Sequence, residues 1–192
     1  THYADGTAIP LVENNTLWNN LSDTEDAYCW NGNNATTGST YGALYTWAAA
    51  MKGNGSADAN PSGVQGVCPT SWHIPSDSEW KQLEMHLGMS QGDADGEGWR
   101  GSSEGGELKE SGTAHWNPPN TGANDDSGFT ALPGGNRYDY GTFNNVGNTA
   151  FFWTTLEVSS SNALGRSLSY NIAKAYRSNY AKSNGFSVRC IR

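Results

Sequence analysis

The chain has 192 residues, 35% of them apolar and 16% charged, with a net charge of −8. That length fits one domain with a real core; the charge excludes the basic surface that nucleic-acid binding needs, and no apolar run is long enough to span a membrane. Few aliphatics beside 24 Gly, 8 Trp and 9 Tyr point to a loop-rich fold with an aromatic core.

The opening Thr1-His2-Tyr3-Ala4-Asp5-Gly6 carries no signal-peptide pattern and reads as the interior of a longer protein. A mature or trimmed C-terminal domain is expected. Residues 8–12 and 27–30 carry short strand signals, separated by Asn-rich turns, and residues 31–40 read as loop. Asn14, Asn20, Asn34 and Asn54 each begin an Asn-x-Ser/Thr triplet. In a chain this rich in Asn and Ser such triplets arise by chance, and glycosylation is not expected.

The first helix is expected over residues 41–52, where Leu44, Trp47, Ala48 and Met51 repeat at helical spacing and Gly53 supplies a stop. The second is expected over residues 77–87. Ser76 and Glu79 form a capping box after Pro75, Trp80, Leu83 and Leu87 face inward, and Gly88 ends the run. A shorter helix is expected near residues 107–110. From residue 112 on, turns alternate with strand signals at 128–132, 151–155, 164–170, 173–176 and 185–191. In the last of these Phe186, Val188 and Cys190 fall on one face and Ser187, Arg189 and Ile191 on the other. The expected class is α+β, a single domain of two main helices packed on short antiparallel sheets with long loops.

Three cysteines, Cys29, Cys68 and Cys190, leave at least one unpaired. Cys68 and Cys190 both sit in strand-like, half-buried settings. A bridge between them would close a long loop and contribute about 4–5 kcal/mol in the chain-entropy model; two free buried thiols are the alternative. No Cys or His spacing suits a structural zinc site.

Four blocks carry a resemblance: residues 41–50 (YGALYTWAAA), 67–80 (VCPTSWHIPSDSEW), 128–135 (GFTALPGG) and 185–190 (GFSVRC). Together they resemble the Fibrobacter succinogenes major paralogous domain, found in secreted and surface proteins of bacteria, over nearly the whole chain. The resemblance implies a C-type-lectin-like fold related to the formylglycine-generating enzymes, an extracellular or surface-displayed location, and a Cys68–Cys190 bridge. Relatives often carry a second Cys in the loop after the position of Cys29. Residues 31–40 have none, which leaves Cys29 without that partner.

The chain also resembles the variable proteins of diversity-generating retroelements. In those, randomised template adenines yield a residue set that excludes Lys, Glu, Gln, Met and Trp. Residues 149–181 hold only Trp153, Glu157 and Lys174 of those types, against 24 in the first 148 residues. Asn144, Asn145, Asn148, Asn162, Asn171, Asn179 and Asn184 have the look of an Asn-rich template. An ordinary tolerant surface is the alternative.

No catalytic constellation is legible in the sequence. The formylglycine-generating enzymes use two cysteines near the C-terminus, and here only Cys190 lies there. His73, beside Trp72 and Pro75, reads as a packed structural residue rather than a base. Residues 93–97 and 124–126 hold hard-oxygen clusters suitable for Ca²⁺, but neither fits the twelve-residue EF-hand loop, and both read as solvated acidic loops. No metal or other cofactor is implied.

Binding chemistry remains. Tyr170, Tyr176 and Tyr180 with Arg166, Arg177, Asn171 and Asn179, among small residues such as Ala163 and Ser169, have the composition of a paratope. Phe151 and Phe152 extend the patch if exposed. The expectation is a non-catalytic domain, with residues 1–148 and 182–192 as scaffold. Residues 149–181 would display a face for a protein or cell-surface macromolecule. On this reading Ala163, Arg166, Tyr170, Tyr176 and Tyr180 share one exposed face. A structural surface or adhesion module, and an enzyme of the formylglycine-generating group, are the competing readings.

Overall fold

The computed structural model describes residues 1–192. Asn14, Asn34 and Thr46 each accept a hydrogen bond from a backbone N–H two or three residues on, and so open the short helices α1 (Asn15–Asn19), α2 (Ala35–Tyr41) and α3 (Trp47–Met51). Between them β1 (Tyr28–Trp30) pairs antiparallel with β2 (Ala43–Tyr45). The single helix expected over residues 41–52 is therefore corrected. Gly42, at φ 79°, breaks the backbone out of the helix, β2 follows, and only Thr46 starts α3. The apolar period misled because its members serve different cores: Leu44 packs with Trp18, Ala27 and Cys29, whereas Trp47 and Met51 pack with Ile74, Trp153 and Phe186.

α4 (Asp77–His86) is the one long helix, and its capping box forms as the sequence implies. Short elements follow: α5 (Gln91–Asp95), β3 (Gly98–Arg100) and α6 (Glu104–Glu107). α6 thus ends where the expected short helix begins, and α5 takes in Asp93 to Asp95, part of a stretch that reads as an acidic loop. The strands β4 (Gly134–Arg137), β5 (Phe143–Val146), β6 (Thr149–Glu157), β7 (Asn162–Ser169) and β8 (Ala175–Ala181) complete the chain's elements.

β3 to β8 form one sheet in the order β3-β8-β7-β6-β4-β5, antiparallel except where Gly135 of β4 meets Ala150 of β6 in parallel. The fold is a single α+β domain. Strand signals at 8–12 and 128–132 reduce to single bridges at Ala8, Leu11 and Ala131. The closing residues 185–191 are likewise not a continuous ladder. Gly185, Phe186, Ser187 and Ile191 bridge to Arg137, Tyr45, Phe152 and His73 respectively. Their alternation holds: Phe186, Val188 and Cys190 pack into one core, and Arg189 lies on the other side over Phe129. The chain end thus stitches four separate segments together.

Cys68 and Cys190 are joined by a disulfide across 122 residues, and Cys29 is free and buried. Burial pushes the Cys29 thiol up to about 12, so it is an inert thiol at neutral pH.

The sheet has two unequal faces. One packs over most of its area against the α4 side, where Trp80, Phe129, Phe152, Leu168 and Ala175 share a core. The other is covered only at one end, where Trp153, Ala163 and Phe186 pack under α3 and the disulfide. Towards the opposite end of β7 that second face is open.

Candidate functional site

A strand offers alternate residues to opposite faces. In the β7–β8 register Arg166 opposes Arg177, and the next pair, Ser167 and Tyr176, points the other way. β6 adds Phe151 opposite Ser167 and Thr149 opposite Ser169, and β3 adds Trp99 opposite Tyr176. These residues line a groove of about 380 Å³ on the open end of the sheet, within the size range of small-ligand sites. Its far wall is Asn136 and Asn145 from β4 and β5, with Tyr138, and its floor is Tyr180, Phe186 and Asn184.

No lining residue is charged at neutral pH, although the chain carries a net charge of −8. Aromatic faces, amides and hydroxyls supply the whole chemistry. Trp99, 40% exposed, and Tyr176 meet at 4.8 Å between ring centroids and form an open aromatic ledge. Asn145 donates its side-chain N–H to the Asn136 Oδ1 at 2.8 Å, which fixes both amides. Tyr180 is set lower: its ring meets Phe186 at 4.9 Å and Phe151 at 6.0 Å. Its phenol is pushed up to about 12 by burial, so it stays a neutral donor.

Gly165 allows that seat. A Cβ there would meet the Tyr180 ring at 3.1 Å and the Phe152 carbonyl oxygen at 3.0 Å. The rim at the end of β7 is held by Lys109, whose ammonium donates to the Ser169, Ile172 and Thr121 carbonyls. Burial lowers its pKa to about 8.

Of the residues expected to bind, Phe151, Ser169, Tyr176 and Tyr180 line the groove. Asn171 is exposed on the turn after β7 and accepts from the Ser169 hydroxyl at 2.7 Å; Asn179 is exposed on β8 but points to the opposite face. Five others are corrected. Phe152 lies in the core against Trp80 and Phe129, and Ala163 is fully buried in the core under the disulfide. Arg166 and Arg177 are 1% and 9% exposed and face α4. Tyr170 is half-buried and packs on the α4 core. Ala163, Arg166, Tyr170, Tyr176 and Tyr180 therefore do not share an exposed face.

The arginines are buried because α4 carries the matching acids. Arg166 donates to Asp77 at 2.7 Å and Glu84 at 2.8 Å, Arg177 to Asp77 at 2.8 and 2.9 Å, and Arg100 to Glu84 at 2.7 and 2.9 Å. Burial alone would raise the Asp77 carboxyl, but the Arg177 hydrogen bonds and the Arg166 charge outweigh it and hold it well below the usual carboxylate range. This network clamps α4 to the back of the strands whose front forms the groove.

Trp99, Asn136, Tyr138, Asn145, Thr149, Ser167, Asn184 and Phe186 were not among the expected binding residues. Asn145 and Asn184 had a signal, since both belong to the Asn-rich set noted in the sequence. Tyr138 had one too, as an aromatic pair with Tyr140 in a polar turn, and these rings stack at 5.0 Å.

The acidic loops are internally engaged. Asp93 and Ser90 cap α5 together, and Asp125 accepts from the Thr130 N–H and hydroxyl. No group of three or more His, Cys, Asp or Glu side chains is placed to hold a metal ion. No helix is long and apolar enough to cross a membrane.

No curated protein and no solved structure matches the chain. The Fibrobacter succinogenes major domain, as a family model, matches residues 1–192. On that full-length match, the chain belongs to the Fibrobacter succinogenes major domain family.

Proposed function

We propose that this is a non-catalytic binding domain of C-type-lectin-like architecture, and that its ligand, a protein or other surface macromolecule, sits in the groove between Trp99 and Asn145. The observation that carries this is the lining itself: a concave set of uncharged aromatic, amide and hydroxyl groups, from the exposed Trp99 to the buried Ser167 and Phe186, on a sheet clamped from behind by buried ion pairs. Such a surface is preorganised, so binding does not first have to order it. Rigid aromatics give contact area at low entropy cost and amides give adaptable hydrogen bonds.

Diversification by a retroelement is part of the same proposal. Thr149, Phe151, Ser167, Ser169, Tyr176 and Tyr180 come from the 149–181 stretch, and none is Lys, Glu, Gln, Met or Trp. An extracellular or surface location agrees with the Cys68–Cys190 disulfide, a bond that persists in oxidising compartments.

A displayed library tests the reading. Codons for Thr149, Ser167, Ser169 and Tyr176 are randomised, and folded clones are selected against a protein target. Recovery of specific binders from a mostly folded library is expected. A library in which most clones fail to fold, or which yields no binder, would overturn the reading.

A further inference from the structure

α4 and the closing segment enclose a second concavity, of about 610 Å³, outside the groove. Its walls are mainly apolar: Pro75, Trp80, Leu83, Met85, Phe129 and Ile191. One cation stands among them. The guanidinium of Arg189 lies 4.5 Å from the centre of the Phe129 ring. The other buried arginines all have partners for their guanidinium groups: Arg100, Arg166 and Arg177 pair with Asp77 or Glu84, and Arg137 donates to carbonyls of Val12, Glu13 and Gly141. Arg189 donates to no protein atom and pairs with no carboxylate, although the chain is acidic.

The one carboxylate on the wall is already engaged. Glu79 pairs with His73 at 2.7 Å and accepts from the backbone N–H groups of Ser62 and Ser76 at the start of α4. His86 is exposed at the rim. Trp80 also lines the pocket, and its indole N–H has no acceptor.

An unpaired guanidinium beside an apolar cavity is complementary to one chemistry, a carboxylate carried on an apolar body. We infer that this pocket binds a small apolar monocarboxylate, with the carboxylate on Arg189 and the alkyl or aryl body against Leu83, Met85 and Phe129. The cavity volume falls in the range of small-molecule sites. This site is independent of the groove.

Calorimetric titration of the full chain with octanoate, octanol and octylamine tests it. Octanoate binds, octanol binds at least about tenfold more weakly, as loss of a charge-assisted hydrogen bond dictates, and octylamine is weaker still. Arg189→Met lowers octanoate affinity about tenfold and leaves octanol unchanged. Met85→Glu, at a half-buried helix position on the pocket wall, also weakens octanoate, and carries the test if the arginine variant does not fold. Tyr176→Ala, in the groove, leaves octanoate binding unchanged. The inference is overturned if octanoate does not bind at millimolar concentration, or if octanol matches it. Wild-type affinity in Arg189→Met or Met85→Glu would also overturn it, as would loss of octanoate binding in Tyr176→Ala.

Discussion

Arg166 and Arg177 stand directly opposite each other in the β7–β8 register, and both donate to the one carboxylate of Asp77. Two like charges in a cross-strand pair repel. Asp77, fully buried at the start of α4, converts that repulsion into a clamp between helix and sheet. Asp77→Asn keeps the shape and removes the charge, leaving two buried guanidinium groups facing each other. Loss of one partner of such a network costs about 3–5 kcal/mol. Urea unfolding should show the midpoint falling accordingly; a midpoint within error of wild type would mean the network does not hold the helix.

The same carboxylate sets an acid limit. Its folded pKa lies below the unfolded value, so its contribution is fully present above about pH 4 and is lost as pH falls through the folded value. Stability measured from pH 7 downward should therefore drop on the acid side. In Asp77→Asn that component should be missing and the acid slope shallower. Equal slopes in the two proteins would assign the acid sensitivity to other carboxylates.

Gly165 keeps the groove floor in place. An alanine there meets the Tyr180 ring at 3.1 Å and the Phe152 carbonyl oxygen at 3.0 Å, so the ring must move. Overpacking of this kind costs about 1–3 kcal/mol. Gly165→Ala should lower thermal stability and perturb the Tyr180 ring resonances in NMR spectra. Unchanged Tyr180 resonances would place the ring away from Gly165.

Reduction of the Cys68–Cys190 disulfide releases a link spanning 122 residues. The paired Cys68→Ser and Cys190→Ser variant should lose roughly 2–5 kcal/mol, read from denaturant midpoints, because the closing segment it anchors also bridges to Tyr45, His73, Arg137 and Phe152. Cys29→Ala should leave those bridges intact, since that thiol lies in a separate core. An equal loss in both variants would deny the disulfide its role.

Local signals were legible in the sequence and long-range ones were not. The Ser76–Glu79 capping box involves groups three residues apart, and α4 forms where it predicts. The Cys68–Cys190 pairing is raised by the strand-like settings of both residues, with free thiols as the alternative, and the family resemblance favours the bridge that forms. The helix over residues 41–52 failed because an apolar period cannot tell one helix from a strand and a short helix serving two cores.

The binding face was half legible, for a physical reason. The alternation along β7 separates Arg166 from Ser167 and Leu164 from Gly165 without ambiguity. Which set faces outward depends on what docks behind. By composition the arginines belong outside. Asp77, Trp80 and Glu84 lie on one face of α4, so that face carries the acids that draw the arginines inward. Acids at core-facing helix positions were the available clue. Trp99 reaches the groove only because β3 pairs with β8, a contact that no local pattern encodes.

The central claim is that the groove-facing residues of β6, β7 and β8 are the ligand surface and the target of diversification. Sequencing this gene in sister isolates tests it most directly. The account predicts replacements concentrated at Thr149, Ser167, Ser169 and Tyr176, with Arg166, Arg177, Leu164 and Leu168 unchanged between them. Replacements spread equally over both faces of these strands, or evenly over the whole gene, would contradict it.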